Sequence, residues 1–146
     1  MEEVSFEEGF QKIFARDPRY PRDAYLFVRE ALDHTQKMVT KRDDRGRPRH
    51  VTGQELLEGI REHALAQFGP MAKTVFEEWN IHACKDFGDI VFNMVEIKLL
   101  AKTENDSRED FVDGYDFDAA FQQPFLPSTK LSLHRGTSVP APDIKL

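Results

Sequence analysis

A single cysteine, Cys84, among 146 residues rules out an internal disulfide and fits a reducing compartment. No apolar run approaches the roughly 20 residues that a membrane-spanning helix needs. Met1-Glu2-Glu3 supplies neither a basic nor an apolar leader region, so no signal peptide is expected and the cytoplasm is the expected location. The eight glycines are scattered, which leaves no Gly-rich cradle for a phosphate. Bases are also in deficit: 20 Lys and Arg stand against 26 Asp and Glu, a net charge of −6. A chain so charged has no general attraction for phosphate backbones or anionic lipid.

What the chain does have is apolar material for a core. Hydrophobic residues make up 40% of it and twelve are Phe, which argues for a folded domain rather than a disordered chain. The length suits one domain. Val4, Phe6, Phe10, Ile13 and Phe14 recur at helical spacing, with Ser5 as N-cap and Asp17-Pro18 as a stop. After Pro21 a second helix is expected over about 22–39, burying Tyr25, Val28, Ala31 and Leu32. Thr52 and Glu55 form a capping box for a third, with Val51 and Leu56 as its hydrophobic staple, ending at Gly69. Pro70 is expected to open a fourth, lined by Met71, Val75, Phe76 and Trp79, with Asn80 as its left-handed C-terminal residue. A fifth runs from about Lys85 to Leu99.

Beyond it, Leu100–Thr103, a polar 104–109 loop and Asp110–Phe117, with Phe111, Tyr115 and Phe117 alternating, read as a β-hairpin, and a short helix near Asp116–Gln122 returns Phe121 to the core. Helix, turn, helix, hairpin is the order of a winged helix-turn-helix. The expected fold is therefore mainly α: one domain over 1–121, comprising an N-terminal helix pair (1–40) and a winged-helix-like unit (51–121). A flexible tail containing Pro124, Pro127, Pro140 and Pro142 follows over 122–146.

Several phrases recur together in one group of proteins: Asp17-Pro18-Arg19-Tyr20-Pro21, Gly53-Gln54-Glu55-Leu56-Leu57, Phe68-Gly69-Pro70-Met71-Ala72 and Asp86-Phe87-Gly88-Asp89-Ile90-Val91. Lys102-Thr103-Glu104 and Asp106–Phe111 complete the pattern. Over about residues 6–121 the chain resembles a small family of uncharacterised conserved hypothetical proteins of planctomycetes and verrucomicrobia. That resemblance implies a bacterial, intracellular origin and assigns no functional residue.

Charge decides between binding roles. The expected recognition helix sets Lys85, Lys98 and Lys102 against Asp86, Asp89 and Glu96, and the wing carries seven acids with only Arg108. Nucleic-acid affinity rests on Lys and Arg neutralising phosphates, so this surface argues against DNA. The loop from Lys41 to His50 is basic, with Lys41, Arg42, Arg45, Arg47 and Arg49 against Asp43 and Asp44, but no aromatic residue interleaves them for base stacking.

Catalytic and metal signatures are weak. His82-x-Cys84 with His63 falls short of a zinc ligand set, and the acids 106–118 do not follow a calcium-loop order. No Gly-x-Ser-x-Gly elbow is present, and Cys84 beside Lys85 at a helix start is the one candidate for a reactive thiol, with His82 as its partner in a third, enzymatic reading. The expectation is a non-enzymatic protein-interaction or adaptor module without a cofactor. It would bind a protein partner or a second copy through Arg45, Arg47 and Arg49 on the loop and Asp106, Glu109 and Asp110 on the wing. The alternative is a nucleic-acid-associated regulator using Lys41, Arg42, Arg45, Arg47, Arg49 and Lys85. Surplus aromatics, among them Tyr20, Phe27, Trp79 and Phe92, serve either a broad core or an apolar docking patch.

Overall fold

The computed structural model describes residues 6–42, 50–102 and 106–127. Within them five α-helices follow one another: α1 (Phe6–Arg16), α2 (Arg22–Arg42), α3 (Gly53–Phe68), α4 (Ala72–Glu78) and α5 (Cys84–Glu96). The principal packing is α2 against α3, with α5 against α1, α2 and α3, and α4 against α3. The expected α1, α2 and α3 begin or end within three residues of their sequence-based limits.

The helix ends follow from local chemistry. The Thr52 hydroxyl accepts from Glu55 N at 3.1 Å and the Glu55 carboxylate accepts from Thr52 N at 3.0 Å, the reciprocal box read from the sequence. Two helices stop in the same way. Asn80, at φ 64°, follows α4, and Ile81 N donates to Phe76 O while Asn80 N donates to Glu77 O. Lys98, at φ 68°, follows α5, with Leu99 N on Met94 O and Lys98 N on Val95 O. Both are the paired bonds of a Schellman stop. The second stop ends α5 three residues before the expected Leu99 and folds Ile97 and Leu99 back against Gly9, where a Cβ would come within 2.6 Å and 2.9 Å of them.

Two expectations need correction. Gly69–Met71 forms a 3-10 turn and α4 starts only at Ala72, so the helical phase is displaced and Met71 lies 55% exposed instead of lining the core. The β-hairpin is absent: no strand occurs among the described residues, and without it there is no wing. In its place the chain runs through a 3-10 turn (Arg108–Phe111), a π turn (Asp118–Gln122) and a second 3-10 turn (Gln123–Phe125). Ser107 starts the first, its hydroxyl accepting from Glu109 N while the Asp110 carboxylate accepts from Ser107 N at 3.1 Å. Asp116 accepts from Ala119 N at 3.1 Å before the second. These side chains satisfy backbone groups locally and so compete with strand pairing.

Phe111, Phe117 and Phe121 reach the core all the same. The Phe76 ring centroid lies 5.1 Å from Phe121, 5.3 Å from Phe87, 5.5 Å from Phe27 and 5.8 Å from Phe117, in edge-on or tilted geometry. Tyr20, Tyr25, Phe27 and Phe87 are buried and Trp79 and Phe92 half-buried, so most of the surplus aromatics serve a broad core.

Candidate functional site

The polar side of α5 is occupied within the chain. The buried Asp86 carboxylate accepts from His82 N at 2.8 Å and Ala83 N at 3.1 Å, capping the helix start, and from Tyr20 OH at 2.7 Å. Asp89, one turn on, meets Arg19 at 3.3 Å and Arg108 at 2.8 Å. Asn93, the residue best suited to reading a base edge, is buried and donates to Asp17 at 2.9 Å and Tyr25 OH at 3.0 Å. The hydrogen bond from Arg19, then that from Asn93, holds the Asp17 carboxyl well below the usual range although partial burial opposes it. This network ties the α1–α2 connection to α5.

Cys84 is buried behind that helix start, its thiol donating to Tyr115 O at 3.4 Å. Burial pushes the thiol up to about 11, so it stays protonated at neutral pH. His82 is exposed and its imidazole bonds Asn80 Oδ1 at 3.0 Å. The structure therefore places the pair suggested for chemistry in separate surroundings. On the α2–α3 face His34 meets Glu62 at 3.6 Å and His63 meets Glu30 at 3.5 Å. No group of three or more His, Cys, Asp or Glu positioned to hold a metal occurs among the described residues.

The acidic segment gathers the other candidates. Asp106 Oδ2 lies 2.5 Å from His50 Nε2, joining the segment to a residue three positions before α3 and 56 positions earlier in the chain. Asp110 caps the Ser107 turn, and Asp118 meets Lys73 at 2.9 Å. Glu109 and Asp113 are exposed, and between them Val112 is 56% exposed. Lys41 and Lys85 are exposed as well, Lys85 lying 4.0 Å from Asp86. Arg45, Arg47 and Arg49 lie outside the described residues, as does the side chain of Arg42.

Asp106 and Asp110 also line a pocket of about 230 Å³ between α2, α3 and α5. Its floor is apolar, built from Leu32, Leu56, Val91, Val95 and Phe111, while His50, Lys102 and Gln36 stand with Asp106 among its polar lining. Arg108 lies over the Phe92 ring at 5.2 Å, bracing one wall. Sequence reasoning missed this pocket. One trace was present: Val91 and Val95, expected on the buried side of α5 with Phe87, Ile90 and Met94, form the edge of that stripe and are only half-buried.

No protein-family model, curated protein or solved structure matches the chain. No helix among the described residues is long and apolar enough to cross a membrane.

Proposed function

We propose that the chain is a non-enzymatic, cytoplasmic protein-interaction module whose partner docks on the acidic surface of residues 106–118. One observation supports this reading above the others. Asp106, Asp110, Asp116 and Asp118 are each engaged within the chain, whereas no hydrogen bond or ion pair engages the Glu109 or Asp113 carboxylate among the described residues. These two acids flank the exposed Val112 and so frame an apolar contact with uncompensated negative charge. Such a frame steers a basic partner and rejects acidic ones. Arg45, Arg47 and Arg49 stay in the proposed surface on charge alone; in a pair of copies they complement the acidic segment of the other.

The test is charge reversal. Glu109→Lys with Asp113→Lys is expected to abolish partner capture in cells while leaving the thermal melt within a few degrees of the wild type, because neither side chain supports the fold. Capture that survives the double reversal would remove this surface from the account. Light scattering of the purified chain separates a homodimer from a heterologous partner.

A further inference from the structure

We infer that the pocket between α2, α3 and α5 is a binding site for one compact, uncharged molecule, about the size of a fused pair of rings, carrying a single hydrogen-bonding group. Size sets the first limit. The pocket opens to solvent past the exposed His50, Ala101 and Lys102, and its volume of about 230 Å³ is far more than one water needs. An apolar cavity of about 150 Å³ accepts benzene, and sites for drug-sized ligands span roughly 300–1,000 Å³. The space here lies between those cases and is ample for one ring system.

Polarity sets the second limit. The floor of Leu32, Leu56, Val91, Val95 and Phe111 offers a charged group nothing to replace its water, so a net charge cannot enter deeply. The polar lining holds both signs. Asp106 and Asp110 repel an anion and Lys102 repels a cation, while the Asp110 carboxylate, which has more lone pairs than its bond from Ser107 N uses, can accept from a hydroxyl, amide or indole N–H.

Rigidity is the third point. At Gly53, where α3 meets the 108–111 turn, an added Cβ would come within 2.7 Å of Asp110 Cβ and 3.2 Å of the Phe111 ring. The capping box fixes the start of α3 at the same place. These walls already touch at the back, so the pocket cannot close by simple approach of the two elements. That edge of the pocket is fixed before any ligand arrives.

The experiment is an amide NMR titration of the full chain with indole and 2-naphthol, with indole-3-acetate and tryptamine as charged counterparts. Saturable shifts at Leu56, Val91 and Val95 are expected with the uncharged pair, and binding weaker by about tenfold or more with the charged pair. Ala101→Trp, an exposed substitution at the pocket lining that leaves the core untouched, is expected to weaken indole binding by about tenfold or more, and Val95→Phe to remove it by filling the space. Absence of saturable shifts would overturn the inference. So would shifts that persist in folded Ala101→Trp, or charged probes that bind as tightly as neutral ones. Glu109→Lys with Asp113→Lys is expected to leave indole binding unchanged, so this site and the proposed partner surface stand or fall separately.

Discussion

Replacing Gly59 by alanine tests the α2–α3 packing that carries one wall of the pocket. An ideal Cβ at this position falls 1.7 Å from Thr35 Oγ1, 2.9 Å from its Cβ and 3.3 Å from its Cγ2. Thr35 is fully buried and its hydroxyl already donates to Ala31 O at 2.7 Å. In an open helix the change would stabilise by about 1 kcal/mol through backbone propensity. Here the overlap must be relieved by shifting two helices, at about 1–3 kcal/mol, or by turning the Thr35 hydroxyl away from its acceptor, at about 1 kcal/mol. With both contributing against the propensity gain, Gly59→Ala is expected to lose about 1–3 kcal/mol. Thr35→Ala removes the 1.7 Å overlap but keeps the 2.9 Å approach, so the double variant recovers part of the loss. Urea unfolding followed by circular dichroism, on the wild type, both single variants and the double, gives the cycle; a favourable coupling of about 1 kcal/mol or more is expected. A Gly59→Ala protein as stable as the wild type, or a strictly additive double variant, would show that the helices do not cross this closely.

Three other outcomes follow from the core and the titratable groups. Phe76→Ala removes the ring shared by Phe27, Phe87, Phe117 and Phe121 and is expected to cost about 3–5 kcal/mol; a loss below about 1 kcal/mol in urea would contradict the central position of Phe76. Burial pushes the Tyr25 phenol from 10.0 up to about 12, and Tyr20 and Tyr115 are raised chiefly by the same cause. The unfolded chain then releases these protons near pH 10.0 while the folded chain keeps them, so stability is intact below that pH and falls as pH rises towards 12. Tyr25 alone accounts for about 2 kcal/mol of this loss by pH 12, readable as a falling urea midpoint; a midpoint constant across this range would refute its burial. Cys84 is expected to resist iodoacetamide at pH 8 in the folded chain and react readily in urea, and rapid alkylation of the native protein would reopen the thiol chemistry.

The helices were legible because their rules are local. The Thr52–Glu55 box, the left-handed Asn80, the stop at Asp17-Pro18 and the buried stripe of Phe87, Ile90 and Met94 each rest on residues a few positions apart. The hairpin failed because Phe111, Tyr115 and Phe117 alternate without pairing: Ser107-x-x-Asp110, itself a helix-start pattern, outweighs a periodicity of only three residues. Met71 failed because a proline beginning a 3-10 turn shifts the helical phase. The candidate acids were partly legible. Composition marked Asp106, Glu109 and Asp110, but it could not tell which carboxylates serve the fold and which face solvent alone. The His50–Asp106 contact and the pocket behind it join segments 56 residues apart, and no local pattern encodes that meeting.

The interaction reading is tested most directly by affinity capture of the tagged chain from its host, with and without nuclease, followed by mass spectrometry. The account predicts a dominant protein partner that survives nuclease and is lost with Glu109→Lys and Asp113→Lys. Partners that vanish with nuclease would contradict it and pass the function to Lys41, Arg42, Arg45, Arg47, Arg49 and Lys85.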